Sequence, residues 1–426
     1  MRGMKDSGIS WVGEIPKEWS VKKIKHISYV IGGNGFNVEL QGLESGDYPF
    51  CKASDISNAG KYLDKAANYV TFDIVRDQHY NIIPKGAILF PKIGEAMKKN
   101  NRTICVLDCC ADNNCQAIVP FERNSGMFLY YILTCVNMGW FDNAGTIPCM
   151  NNRKFLNSKV PFPSLDEQQR IAEFLDRECG KIDGLKADIQ AQIDTLEQYK
   201  RSVITEAVTH GLNPSAPMKD SGAGWMPLIP LHWKADKLKF HLRQRGIKNQ
   251  IDKQVLSLYR EYGIVPKDSR DDNHNVTSED VSDYRYVRVG DFVVNKMKAW
   301  QGSVAVSNYE GIVSPAYFIY EFSDDLINKR YFHYLMRNKT YATEFRRLSG
   351  GIREGQWDLP SEALNNTIIL LPPLDEQQEI ADYLDNKCAE IEQIIADKKS
   401  QIETLDGYKK SLIYEYVTGK KEVYYV

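Results

Sequence analysis

The 426-residue sequence holds no apolar stretch approaching 18 residues, so no membrane-spanning helix is expected. No apolar run follows the opening MRGMKDSG, so an ordinary export signal is not expected either. A Walker A sequence is missing, which speaks against ATP binding. The N/D-P-P-Y/F segment of adenine methyltransferases is also missing. GGNGF at Gly32 to Phe36 lacks the G-x-G-x-x-G spacing of a dinucleotide site and reads as a loop. The 7 histidines are scattered, with no H-E-x-x-H or H-N-H cluster. Asp55, Asp73, Asp108 and Asp112 have undistinguished spacing and read as solvated turns rather than nuclease ligands. No catalytic residue and no metal site is therefore assigned.

Nine cysteines, an odd number without an export signal, are the pattern of reduced thiols in a cytosol. Cys105, Cys109, Cys110 and Cys115 form the one cluster, but C-x3-C-C-x4-C is not a zinc ligand pattern, and packing is the expected role. Overall charge is small, at -2, yet it is unevenly placed. Residues 166–210 carry 6 basic and 10 acidic side chains, and residues 375–421 carry 7 and 11. Each of these segments is thus -4, which leaves the remainder at +6. Acidic segments between basic lobes suit a DNA reader with a protein-docking spine.

Those acidic segments are copies of each other. LDEQQRIAEFLDRECGKIDGLKADIQAQIDTLEQYKRSVITEAVT from Leu165 returns 209 residues later as LDEQQEIADYLDNKCAEIEQIIADKKSQIETLDGYKKSLIYEYVT from Leu374. Leu175, Ile182, Ile189, Leu196 and Val203 fall seven apart, with Ile171, Leu185 and Tyr199 at the intervening d-type places. The second copy has Leu384, Ile391, Leu405 and Leu412, with Ile380, Ile394 and Tyr408 at d. This is the 3.5-residue period of a coiled coil, broken by Lys398, Gln192 and Gln401. A helix of about 43 residues is roughly 65 Å long. A lone helix with one apolar stripe must bury it against a partner, and the other copy is the nearest candidate. Asp166 and Asp375, followed by Glu, Gln and Gln, suit helix N-termini, while His210-Gly211 and Gly419 mark the stops.

The repeat reaches beyond the helices. MKDSG at Met4 leads to Trp11, Ile15-Pro16 and Trp19, and MKDSG at Met218 leads to Trp225, Ile229-Pro230 and Trp233, each offset by 214. These tryptophans track the scaffold and are expected to be packing anchors. In the first lobe, Gly86 to Gly94 and Thr103 to Asp108 read as a strand pair joined by KKNNR, and Met127 to Val136 as a helix. In the second lobe, GDFVVNKMKAWQGSVAVS from Gly290 and GIVSPAYFIYEF read as strands, and Lys329 to Leu348 as a further helix. The expected fold is α+β: two globular domains alternating with two long helices that pair as an antiparallel coiled coil, a pseudo-twofold internal repeat. The boundaries are 1–164, 165–211, 212–373 and 374–421 followed by a short tail.

The order W-x-x-x-I-P-x-x-W, variable lobe, P-x-P-x-x-x-E-Q-x-x-I-A-x-x-L, heptad helix, then the same again, resembles the specificity subunit (HsdS) of type I restriction-modification systems. Here the motifs are Trp11 to Trp19, Pro161-Phe162-Pro163, Glu167-Gln168 and Ile171-Ala172, then Trp225 to Trp233, Pro372-Pro373, Glu376-Gln377 and Ile380-Ala381. GDFVVNKMKAWQGS and GIVSPAY are similar to family target-recognition domains; the first lobe departs from them, with Phe90-Pro91-Lys92-Ile93-Gly94 at the matching place. The resemblance implies a non-catalytic, cytoplasmic, nucleoid-associated reader of double-stranded DNA. Each lobe would recognise half of a bipartite asymmetric site. The helices would set the gap and dock methyltransferase subunits, two by expectation, and a motor-nuclease subunit would join them. S-adenosylmethionine, ATP and magnesium are expected on those partners, and this chain is expected to need no cofactor.

Base edges are read by side chains with fixed donor and acceptor patterns, while Lys and Arg on phosphates supply affinity. Polar and basic loop residues are thus the candidate DNA contacts. In the first lobe these are Lys92, Lys98, Lys99, Asn100, Asn101 and Arg102, with Asn113, Asn114 and Gln116. In the second they are Asn295, Lys296, Lys298, Trp300 and Gln301, with Arg346, Arg347, Arg353 and Gln356. The rival reading from another class is a coiled-coil adaptor that scaffolds a complex without touching DNA. A single-chain nuclease is a third, with no motif in its favour.

Overall fold

The computed structural model describes residues 2–143, 145–260, 262–269, 277–351 and 357–423. The chain divides into two compact units, Met1–Asp188 with Ser400–Val426, and Ile189–Lys399. Each unit is thus one lobe completed by segments of both long helices.

In the first unit, five strands lie in the order Ser28–Gly32, Cys115–Pro120, Ile88–Pro91, Thr103–Cys105, Tyr62–Leu63. All pair antiparallel except the last, which is parallel to Thr103–Cys105. Ile88, Leu89 and Phe90 are all fully buried, the continuous apolar run of a strand covered on both faces. The strand pair expected around KKNNR is present, with Ile88 facing Ile104, and a one-turn helix, Glu95–Lys98, occupies the start of the connecting loop. The helix Gly126–Thr134 is capped by Ser125, whose hydroxyl accepts from Phe128 N. Cys105, Cys109, Cys110 and Cys115 are buried, with Cys105 and Cys109 sulfurs 3.5 Å apart. Burial pushes the Cys110 thiol up to about 12, so it stays protonated and inert.

In the second unit, four antiparallel strands run Leu242–Arg245, Tyr317–Phe322, Phe292–Asn295, Val304–Val306. The order repeats that of the first four strands of the first unit, so the repeat extends to topology. Lys329 to Leu348 is not one helix: Lys329–Arg337 and Lys339–Leu348 are separated at Asn338. The Asn338 side chain accepts from Thr340 N and Tyr341 N, and an extended backbone there starts a new helix instead of continuing the old one.

The long helices span Leu165–His210 and Leu374–Val417. Asp166, Glu167, Asp375 and Glu376 sit in their first turns, where the helix end is positive. Gly211 and Gly419, at φ 79° and 73°, terminate them in the left-handed conformation that glycine adopts without strain. In the first unit Asp183 pairs with Lys409 at 2.7 Å and Lys186 with Asp406, so the two segments run antiparallel. In the second, Lys200 pairs with Glu392 and Lys398 donates to Gln192, again antiparallel.

Part of the expected stripe forms the contact, Ile171 and Ile380 included, and the remaining alternate places lie one residue further on. Leu175, Ile182 and Ile189 are buried as anticipated, and so are Leu384, Ile391 and Leu412, while Leu196, Val203 and Leu405 are half-buried. The alternate places are filled four residues on, by Cys179, Ile193, Cys388 and Ile395. Leu185, Tyr199, Ile394 and Tyr408, expected inside, are exposed at 49%, 48%, 44% and 57%. The reason is geometric: in a 4-3 alternation the residues seven apart serve as d, and a falls at +4, which turns the +3 side chains out of the interface. Lys186, Lys200 and Lys409 then occupy a places, where their stems cover the seam and their ammonium groups reach the partner helix's carboxylates. Such half-exposed pairs contribute about 0.2–1 kcal/mol each, so they tune register more than stability.

Truncation at the seam and beside it should therefore differ sharply. Leu175→Ala and Leu384→Ala should each cost about 2–5 kcal/mol, whereas Leu185→Ala and Ile394→Ala should stay within about 0.5 kcal/mol. Urea unfolding followed by circular dichroism reads the difference, and equal losses at all four positions would contradict the seam described.

Candidate nucleic-acid interface

Each lobe is fastened to its long helices in the same way. Trp19 and Trp233 are buried. The Trp19 indole N–H donates to Glu167 at 2.9 Å and that of Trp233 to Glu376 at 3.1 Å. Arg2 donates to Glu167 as well, at 2.7 and 3.1 Å, and His232 Nε2 lies 2.7 Å from Glu376. The next residue reaches the lobe helix. Gln168 accepts from Ser125 N and donates to Pro163 O, and Gln377 accepts from Asn328 N and donates to Leu326 and Pro372 carbonyls. Ser125 and Asn328 are the N-caps of Gly126–Thr134 and Lys329–Arg337. The E-Q of the repeated motif is thus the joint between rod and lobe.

With the lobe fixed, the strand Ile88–Pro91 delivers Lys92 to its end, and Phe292–Asn295 delivers Lys296. Lys92 O accepts from Met150 N at 2.9 Å and Lys296 O from Leu359 N at 3.0 Å, so the two lysines hold corresponding places. Around Lys92 the first lobe gathers amides. Lys92 N donates to Asn114 O at 2.8 Å, and the turn holding exposed Asn113 and Asn114 is closed by Asp112, which accepts from Asn114 N. The glycine loop lies alongside: a Cβ on Gly33 would come within 1.9 Å of Asp112 O, so only glycine lets the backbones approach. Asn152 joins the group, accepting from Gln116 Nε2 at 2.9 Å, with Arg153 and Lys154 exposed beside it. These three residues were missed in the sequence; NNRK at 151–154 was the available signal.

KKNNR divides between surface and interior. Lys98 and Lys99 are exposed, Lys98 with Glu95 at 2.9 Å. Asn101 donates to Ser57 Oγ at 3.2 Å. Asn100, at φ 61°, ends the one-turn helix and its side chain accepts from Met138 N. Arg102 is only 6% exposed and donates to Asn100 and Val136 carbonyls. Burial pushes its guanidinium down to about 10, still a cation at neutral pH. Gln116 is 1% exposed and also donates toward Met150 Sδ. The side chains of Arg102 and Gln116 thus brace the lobe from inside and are not presented to a ligand.

The second lobe surrounds its lysine differently. Asn295 is buried and accepts from Met297 N, shaping the loop rather than facing out of it. Lys296 pairs with Asp358 at 3.2 Å, and Lys298 and Gln301 are exposed. The Trp300 indole donates to Met297 O, and its ring meets that of Trp357 at 5.6 Å. The Arg346 guanidinium lies 5.8 and 5.9 Å from the two rings. Arg347 is held by Glu344 through two bonds of 2.7 Å. Trp357 was missed, although it adjoins a candidate; Arg353 and Gln356 lie outside the described residues. One lobe thus offers amides around a lysine, the other aromatic faces and cations: donors and acceptors for base edges, charge for phosphates, and rings for stacking.

A family model described as "Type I restriction modification DNA specificity domain" matches residues 16–195 and 247–404. The specificity subunit of type I restriction enzyme MjaIX from Methanocaldococcus jannaschii is 30% identical over 173 residues, a match that spans 38% of each chain. The EcoKI specificity subunit of Escherichia coli is 20% identical over 433 residues, covering 96% of this chain and 90% of the relative. In fold, a chain from a structural study of the assembly and conformational transition of the type I R-M system aligns with TM-score 0.66 at 14% identity, over 96% of this chain and 99% of that one.

Exposed Lys298 and buried Arg102 should behave oppositely in duplex binding. Lys298→Ala should weaken binding similarly on all sequences and lower the slope of log affinity against log salt by about one. Arg102→Met, which keeps the buried stem, should leave that slope unchanged. Fluorescence anisotropy across a salt series measures both.

Proposed function

The chain belongs to the family of type I restriction-modification DNA specificity subunits, and from that premise we propose how it recognises DNA: each lobe reads one half of a bipartite asymmetric duplex site. Residues 1–164 and 212–373 are the reading domains in this proposal, and 165–211 and 374–421 are the spacers. The observation that carries it is the pair of corresponding lysines, Lys92 and Lys296, on one strand order but among unlike neighbours. Asn113, Asn114 and Asn152 serve the first lobe, and Trp300, Arg346 and Trp357 the second. A shared frame with different contact chemistry is what two unlike half-sites require. Lys98, Lys99, Lys298 and Arg153 meet phosphates, which position the lobe without reading sequence.

The long helices set the gap, since each base pair advances the far half-site by about 3.4 Å and turns it by a tenth of a turn. The apolar side chains turned out of the seam give a docking surface. Leu185 and Tyr408 lie in the first unit, Ile394 and Tyr199 in the second, and the 209-residue repeat exchanges the two sets. Two equivalent apolar sets support two methyltransferase subunits, with a motor-nuclease subunit added to them. Methylation and cleavage, with S-adenosylmethionine, ATP and magnesium, are assigned to those partners, and this chain is not catalytic in the proposal. Among the described residues no helix is long and apolar enough to cross a membrane. The proposed setting is the cytoplasm, on the nucleoid.

Methylome sequencing of a host that carries this chain with its partner genes tests the proposal. It should report one interrupted, asymmetric motif; a contiguous motif, or none, would sink it. Replacing Asn113 and Asn114 with alanine should alter only one half of that motif. Seven residues added in phase to both helices, beside Gln192 and Ser400, add about 10 Å to each helix and should lengthen the gap by about three base pairs.

A further inference from the structure

One carboxylate on each long helix is unexplained by the seam, the joint or the reading loops. Asp176 lies two turns beyond Gln168, and Asp385 lies two turns beyond Gln377, again 209 residues apart. Asp176 accepts from the Tyr131 hydroxyl and from Lys61. Asp385 accepts from the Tyr334 hydroxyl at 2.8 Å and from Arg330, which also donates to Asp382 at 2.6 Å. Tyr131 and Tyr334 lie on the two corresponding lobe helices, each six residues past its N-cap. Burial pushes both phenols up, and the carboxylates add to it, so each remains a hydrogen-bond donor.

The cations come from unrelated places. Lys61 precedes the edge strand Tyr62–Leu63, with its ammonium 5.0, 5.6 and 4.8 Å from the rings of Tyr62, Tyr130 and Tyr131. Arg330 stands in the first turn of its own lobe helix. The same carboxylate is thus met by the same tyrosine and by a cation supplied in two different ways, which marks the contact itself as what is retained.

The mechanics follow from where these bonds fall along the rod. Gln168 and Gln377 hold the N-cap of the lobe helix beside the Trp–Glu bonds, and the apolar packing of Ile171, Leu175 and Cys179, and of Ile380, Ala381 and Leu384, carries the contact along the rod without a directed bond. The aspartates add directed bonds to the same helix about 12 Å further along the rod and fix the angle that apolar packing leaves adjustable. The glutamines are buried in the joint, whereas the Asp176 and Asp385 side chains are 35% and 41% exposed. Loss of the aspartates therefore loosens that angle without dismantling the core. For a lobe about 30 Å across, a tilt of about 6–7° moves its far edge by roughly the 3.4 Å of one base pair.

We infer that Asp176 and Asp385 are positioning residues that lock the tilt of each reading lobe on its spacer helix and thereby restrict the gap that the protein accepts; this rests on the reading of the chain as a two-lobe DNA reader. The test uses the chain assembled with its methyltransferase partners and a set of duplexes that keep both half-sites but vary the gap by one base pair either way. Wild type should prefer one gap; no preference in wild type would count against the two-lobe reading itself. Asp176→Ala or Asp385→Ala should reduce the preference for the correct gap over its neighbours by about fivefold or more, with the preferred bases in each half-site unchanged. Tyr131→Phe and Tyr334→Phe, which remove only a hydroxyl, should reduce it in the same direction and keep the fold if the alanine variants do not. An unchanged ratio in folded tyrosine or aspartate variants overturns the inference. So does a change in half-site bases, which would make these side chains part of the reading surface.

Discussion

The structure depends on a buried tryptophan held between the start of one long helix and the end of the other. Trp19 donates to Glu167 in the first turn of Leu165–His210 and packs against the Gly419 stop of Leu374–Val417. A Cβ on Gly419 would meet Pro16 at 2.4 Å and the Trp19 ring at 3.2 Å. Trp233 repeats this between Glu376 and Gly211, where an added Cβ would be 3.3 Å from the ring. The indole satisfies the carboxylate while its apolar body fills the space that glycine leaves, so one side chain joins three segments. It also explains why each compact unit draws on distant parts of the chain, as in Met1–Asp188 with Ser400–Val426. Neither unit can be completed before the opposite repeat has supplied its helix segment.

From that joint the two repeats keep what sets geometry and vary what faces outward. Trp, Glu, Gln and Asp recur at matching places, and so does the lysine after the central strand. The residues around it do not: amides in one lobe, rings and cations in the other. Under the proposed function, stability and specificity draw on different side chains. Loop substitutions at exposed positions cost little folding energy, whereas changes at the buried joint are felt by the whole unit.

Much of this was legible in the sequence, because periodicity and duplication are long-range signals that single residues cannot blur. The two helices, their ends and the packing role of the tryptophans follow from spacing alone. The alternate places of the seam lie one residue from the expected ones because apolar side chains occur at both +3 and +4. Leu185 competes with Lys186 and Tyr199 with Lys200, and hydropathy favours the residues that turn out to be exposed. A lysine can line an interface with its stem while its charge stays outside, which residue type alone does not reveal. The same limit holds for the candidate DNA contacts. Arg102, Gln116 and Asn295 are polar and lie in or beside loops, yet each spends its hydrogen bonds holding those loops in shape. Asn152 and Trp357 reach the surface through contacts between segments far apart in sequence.

The exposed apolar side chains that misled the heptad assignment have a physical consequence of their own. An isolated helix pair gains nothing from leaving two leucine-sized and two tyrosine side chains in water, and polar residues there would serve solubility better. Their recurrence after 209 residues shows that both repeats carry the same feature. The proposed docking of a partner with the matching apolar face would account for it, and a partner that recognises one repeat would recognise the other. In the proposed assembly the seam and the outer stripe are two interfaces written on one heptad: the inner holds the spacer together, and a second protein covers the outer.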